Sequence, residues 1–340
     1  MHFTTNRRVP ALLFFPFITV IFLFFAFWPI EDNTQIPKSW PKPFHKLHKI
    51  DSNWFKLGRM LFYDTRISKN QTVSCASCHQ SATAFAHVDH PLSHGVYDRI
   101  GIRNAPALFN LAWYKAFMWD GRAINAKAQA QIPIEHPDEM DLPIQQAVSY
   151  INQAPVYIKA IQQCTSGYSL SPSDVLHALE VFVLNIISSQ SKYDLVRAGK
   201  AQFNADESAG YAIYKTHCAS CHAEPLMSTG DFSSNKLPLQ PLMPDYGRFK
   251  ITLHAKDSFI FKIPSLRNLS YSFPYMHDGR FSSLRQVLQH YRRGPGKQVY
   301  TAQPFTLENE NQLLAFLFTL NDSVFVQNPA YKVPQEIRNQ

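Results

Sequence analysis

The pentad Cys-x-x-Cys-His occurs twice in this 340-residue chain, as Cys75-Ala76-Ser77-Cys78-His79 and as Cys218-Ala219-Ser220-Cys221-His222. Two thiols three positions apart on one helical turn can each add across a vinyl group of a haem, and the next residue then reaches the iron as a proximal imidazole. A redox dithiol or half of a zinc site also uses Cys-x-x-Cys. Neither needs His directly after the second Cys, and neither explains the same Ala-Ser filling in both copies. The pair therefore predicts two covalently attached haem c groups, and a fold that wraps each of them.

Arg7 and Arg8 precede a run from Ala11 to Ile30 that is almost free of polar groups and long enough to span a bilayer. The expected organisation is a signal-anchor or transmembrane segment at 1–31, a Pro-rich extended spacer at 32–50 with Pro37, Pro41 and Pro43, haem domains at 51–200 and 201–325, and a tail at 326–340. The basic start places the body on the far side of the membrane. That means a periplasmic protein tethered to the bacterial inner membrane, with a cleaved signal and a soluble periplasmic protein as the alternative. Of five cysteines, Cys164 alone falls outside the pentads and receives no role. Haem propionates would offset much of the formal charge of +8, so nucleic acid is not an expected partner.

Apolar spacing predicts a mainly α fold. Trp54, Phe55, Met60, Leu61 and Phe62 mark a helix leading to the first pentad, and one from about Asp206 leads to the second. Val175, Leu176, Leu179, Phe182, Val183, Ile186 and Ile187 form a long stripe that Ser173 would cap. Further stripes fall at Leu284–Tyr291 and Leu313–Leu320. A second internal echo follows each pentad: Pro106-Ala107-Leu108-Phe109-Asn110 with Met118-Trp119-Asp120-Gly121-Arg122, and Pro264-Ser265-Leu266-Arg267-Asn268 with Met276-His277-Asp278-Gly279-Arg280, at the same interval. Two pentads with two such blocks indicate tandem, duplicated cytochrome c-like haem domains.

These blocks, together with Arg103-Asn104-Ala105-Pro106 and Pro133 through Met140, resemble the bacterial dihaem cytochrome c peroxidases and the MauG-type dihaem oxidases, from about Asp51 to Leu320. The resemblance implies that His79 holds the iron that meets peroxide and His222 the iron that passes electrons. Trp119 then matches the aromatic bridge between them, Glu139 the distal acid/base, Gln129 an amide that orients peroxide, and Pro133 a wall of the same pocket. Read locally, Trp119 is an ordinary packed aromatic, and Pro137-Asp138-Glu139 an ordinary first helical turn with acids near its positive end.

The resemblance leaves the sixth ligands open. His94, in Ser93-His94-Gly95, is the candidate at the first iron, with His87 and His90 as competitors. Tyr291 is the candidate at the second iron, with Met276 and His290 beside it; a Tyr there would point to the MauG branch. Asn104, Ser272 and Pro274 match an inter-domain calcium site. The expected activity is reduction of hydrogen peroxide with electrons from a small redox protein, a cytochrome c or cupredoxin. A MauG-like oxidase acting on a protein or organic substrate and a non-enzymatic dihaem electron carrier are the alternatives, and a homodimer is an open option.

Overall fold

Two helix crossings, built alike, organise the molecule. In this computed structural model, which describes His2 and residues 36–88, 90–293 and 306–338, helix α1 (Asn53–Tyr63) starts at Ser52, whose hydroxyl accepts from the Phe55 amide. It buries Phe55, Leu57, Met60, Leu61 and Phe62. Helices α2 (Ala126–Glu135) and α3 (Ile144–Gln153) follow the first pentad, and α4 (Pro172–Leu184) packs across α1. The second half repeats this with α5 (Ala205–His217), α6 (Leu284–Arg293) and α7 (Leu307–Phe318), where α7 packs across α5.

Gly58 on α1 and Gly210 on α5 occupy matching crossing points. A Cβ at Gly58 would lie 1.9 Å from the Ala178 carbonyl oxygen, and one at Gly210 1.9 Å from that of Gln312. No side chain fits such an approach, so glycine sets the depth of both crossings. The predicted stripes are these helices, with shifted ends. Ser171, not Ser173, caps α4: its hydroxyl and the Asp174 carboxylate form a capping box and Pro172 takes the first helical position. Ile186 and Ile187 are buried yet lie past the helix end, because Asn185 closes it. Asn204 caps α5, slightly ahead of the expected start.

Strand structure is confined, among the described residues, to antiparallel β1 (Phe232–Ser233) and β2 (Phe261–Lys262). Two hydrophobic cores result, one running from Trp40 to Tyr331 around α1 and α4, and a smaller one from Tyr193 to Leu320 around α5 and α7. Beyond Asn33 the chain packs as one compact unit.

Two expectations change. The spacer does not stand off the body: Trp40 is buried with its ring edge-on to Trp113 at 5.1 Å, and the Trp113 indole donates to the Pro41 carbonyl at 2.7 Å. A buried indole gives the stretch an apolar anchor that its prolines alone do not reveal. The 326–340 stretch returns to the first core, where Val326 and Tyr331 are buried and the Tyr63 hydroxyl donates to the Tyr331 carbonyl at 2.6 Å. The expected membrane segment falls outside the described residues apart from His2. Among those described, no helix is long and apolar enough to cross a membrane.

Candidate active site

Each pentad forms a short turn that aims its imidazole inward. Cys75–Cys78 is one helical turn, with the Ser74 amide donating to the Ser77 hydroxyl at 3.0 Å. The His79 Nδ1–H donates to the Phe85 carbonyl at 3.0 Å, and the His222 Nδ1–H to that of Pro264 at 3.0 Å. A carbonyl can only accept, so both rings carry the proton on Nδ1 and keep the Nε2 lone pair for a metal. Burial favours the neutral ring, pushing His79 down to about 4 and lowering His222. Burial raises the thiols, Cys75 to about 12 and Cys78 and Cys218 to about 11, and all five cysteines are free of disulfides. Among the described residues no three His, Cys, Asp or Glu side chains are grouped to share a metal ion, so the zinc alternative has no ligand set.

A cleft opens over the first pentad. Cys75, Cys78 and His79 form one side, Phe62, Leu108, Leu179 and Val183 give apolar walls, and Gln129, Pro133, Glu139 and His94 complete it. Two thiols, one neutral imidazole and apolar walls suit a covalently held porphyrin; a group of mainly apolar surface with one metal valence asks for this set.

Residues far apart in sequence reach this cleft for local reasons. Asn125 caps α2 by accepting from the Ala128 amide at 2.8 Å, and Gln129 and Pro133 then stand one turn apart on one face. The first-turn reading of Pro137-Asp138-Glu139 is overturned. α2 ends at Glu135 and α3 begins only at Ile144, and between them the chain folds back, with the Met140 amide on the Pro133 carbonyl at 3.1 Å and that of Leu142 on Ile134 at 2.8 Å. Glu139 therefore sits on a turn tied to the end of α2, and burial raises its carboxyl above the usual range.

The His94 loop is docked on that same turn. The Val96 amide donates to the Glu139 carbonyl at 2.7 Å, and a Cβ at Gly95 would lie 2.2 Å from the Asp138 carbonyl oxygen. His94 lines the cleft and its Nδ1 meets Asp98 at 3.0 Å; the rings of His90 and His94 are 4.6 Å apart, and those of His87 and His90 5.5 Å.

Trp119 lies where the two halves meet. Its indole donates to the Asn104 carbonyl at 2.8 Å, and its own carbonyl accepts from the Lys262 amide at 2.7 Å. The Asn104 amide N–H donates to the His277 carbonyl at 2.7 Å, so the two echo blocks are cross-tied. Arg103 bridges Asp120 at 2.7 Å and Asp245 at 2.6 Å across the same junction, a role its place in the Arg103–Pro106 block could have suggested. The Asn104 side chain donates to Pro91 at 3.0 Å, and no described contact joins it to Ser272 or Pro274.

Around the second pentad, the Tyr214 hydroxyl donates to the His222 carbonyl. Asn235, which the sequence did not single out, receives two of the candidate ligands: its Nδ2 donates to the Met276 sulfur at 3.2 Å and its carbonyl meets His290 Nε2 at 3.0 Å. Tyr291 lies half-buried on α6 with its ring edge-on to His290 at 5.3 Å.

Known proteins share this arrangement. The family model of di-haem cytochrome c peroxidase matches residues 52–202. The chain is 33% identical over 308 residues to the methylamine utilization protein MauG of Methylorubrum extorquens, covering 86% of this chain and 84% of that one. It is 28% identical to a cytochrome c551 peroxidase of Nitrosomonas europaea, covering 86% of each. A solved MauG-like protein associated with microbial copper homeostasis superposes with a TM-score of 0.78 at 27% identity, over 88% of this chain and 98% of that one. Two haem-binding pentads on a duplicated helical scaffold, with relatives matched along nearly the whole chain, make this an oxidoreductase with two covalently attached c-type haems, a member of the di-haem cytochrome c peroxidase and MauG family.

Proposed function

We propose that the protein reduces hydrogen peroxide to water at the His79 cleft, with electrons entering from a small redox protein, a cytochrome c or cupredoxin, through the His222 half. The observation that carries this reading is the convergence of Glu139, Gln129 and Pro133 on the cleft that also holds Cys75, Cys78 and His79. Haem iron bound by His79 would supply the binding point for peroxide and the redox change. The chain supplies proton handling. Glu139 takes the proton from the near peroxide oxygen and returns it to the leaving oxygen, and burial, by raising its pKa, favours the protonated form that the second step needs. The Gln129 amide orients the substrate, and Pro133 and the apolar walls exclude water.

In this reading Trp119 carries electrons between the halves and His94 governs access to the first iron. Tyr291 would hold the second iron opposite His222, Asn104, Ser272 and Pro274 would hold a calcium ion at the junction, and haem domains at 51–200 and 201–325 act outside the cytoplasm. A MauG-like oxidation of a protein or organic substrate is the second reading, favoured by the 33% identity to a MauG. Rapid mixing of the purified holoprotein with peroxide, before and after one-electron reduction, separates the two. A requirement for prior reduction supports the peroxidase, and turnover of the fully oxidised form supports the oxidase. Absence of any peroxide reaction in both states refutes both and leaves an electron carrier.

A further inference from the structure

Lys262 is a buried cation with no anion beside it among the described residues. The residue is 9% exposed, and no carboxylate of the described residues comes within ion-pair distance of it. Its ammonium lies over the Tyr114 ring, with Nζ 4.6 Å from the centroid. Burial alone moves its pKa, down to about 8, with no opposite charge acting to raise it. The neighbouring guanidiniums differ: Arg103 and Arg122 hold Asp120, and Arg280 holds Asp278. A desolvated ammonium is costly unless something anionic meets it, and the described residues offer nothing.

The loaded protein does offer something, because each haem brings propionate carboxylates. Lys262 is placed to meet one. It sits on β2 with its amide on the Trp119 carbonyl at 2.7 Å, and two residues later the Pro264 carbonyl takes the His222 Nδ1–H at 3.0 Å. The Tyr114 ring beneath Nζ reaches across to Gly230, where a Cβ would lie 3.1 Å from it. Lys262 thus stands between Trp119 and the wall that orients His222. The matching position in the first half is Asn104, whose amide makes the equivalent bond, to the His277 carbonyl at 2.7 Å. Backbone geometry is shared there, and only the second half places a charge on it.

We infer that Lys262 forms an ion pair with a propionate of the haem held by His222, fixing the edge of that haem against Trp119. It is a positioning residue, and its charge also favours the reduced state of the neighbouring iron. This rests on the presence of two haems and not on the peroxide reading, so loss of either conclusion leaves the other standing.

The test uses holoprotein with two attached haems verified by mass, in three forms: wild type, Lys262→Met and Lys262→Arg. In a potentiometric titration, Lys262→Met is expected to shift the reduction equilibrium of one haem about tenfold toward the oxidised form, 59 mV for a one-electron step. Lys262→Arg, which keeps the charge, should stay near wild type. Unchanged potentials in Lys262→Met, or an equal fall in Lys262→Arg, overturn the inference. A crystal structure of haem-loaded wild type decides the assignment even if Lys262→Met fails to mature. Nζ within about 4 Å of a propionate on the His222-bound haem supports it, and contact only with the other haem or with a protein carboxylate overturns it.

Discussion

The two halves of this molecule share a scaffold and differ in what they put on it. Both cross two helices over a glycine, both orient the pentad His through a carbonyl, and both place Asn at a left-handed turn, Asn110 with φ 56° and Asn268 with φ 61°. The matched positions then diverge: Phe109 against Arg267, Asn104 against Lys262, Trp119 against His277. Phe109 packs on Phe325 with centroids 5.8 Å apart, whereas Arg267 is fully buried and paired with Asp194 at 2.7 Å. In the first half α2 and the turn after it bring a carboxyl to the cleft, while α6 occupies the matching place in the second half. Duplication supplies two alike haem cradles, and in the proposed reading the substitutions on them fit one to substrate and the other to charge transfer.

The largest effect should separate the halves by chemistry. Glu139→Gln is expected to slow peroxide turnover by ~10²–10⁴-fold with both haems retained. Glu224→Gln, which removes the charge that Lys215 meets at 3.1 Å and keeps an amide oxygen for the Tyr193 and Tyr211 hydroxyls, should leave turnover within a few-fold. Equal losses in stopped-flow assays of the two variants would erase the proposed distinction.

Next in size are the matched core positions. Arg267→Leu strands the Asp194 carboxylate in the interior and should destabilise by about 3–5 kcal/mol. Phe109→Ala leaves a cavity of comparable cost, about 3–5 kcal/mol. Denaturant titration of both holoproteins measures this, and a loss under about 1 kcal/mol for Arg267→Leu would mean the pair is solvated.

At the crossings, Gly58→Ala and Gly210→Ala should each cost about 1–3 kcal/mol by forcing the helices apart. Gly167→Ala, with open space around it, serves as the control. Unequal costs at the two crossings would show that one half has more room to relax.

The smallest effect concerns pH. The folded protein raises the Glu139 pKa, so the unfolded chain releases that proton first and ionisation destabilises the native state as pH climbs through the carboxylate range. Glu139→Gln should therefore be more stable than wild type at about pH 7, and the advantage should vanish by about pH 4, where the carboxyl is neutral. A difference independent of pH would place the Glu139 charge in solvent.

Much of this was legible in the chain. The pentads, the echo blocks and the helical stripes are local or periodic signals, and the structure keeps them. Helix ends were less legible, because capping depends on which of several Ser residues finds a partner: Ser171 has Asp174 and Pro172, and Ser173 has neither. The Glu139 turn could not be read locally, since Pro137-Asp138-Glu139 has the composition of a helix start. Its fate was set by hydrogen bonds back to Pro133 and Ile134.

By itself the sequence determined the attachment chemistry and the duplication, because covalent spacing and helical periodicity are properties of neighbours along the chain. Tertiary structure alone decided that Gln129, Glu139 and His94 share one cleft, that Trp40 anchors the supposed spacer, and that Lys262 lies buried with no anion among the described residues. Burial and charge pairing depend on which distant segments meet, and no local pattern encodes that.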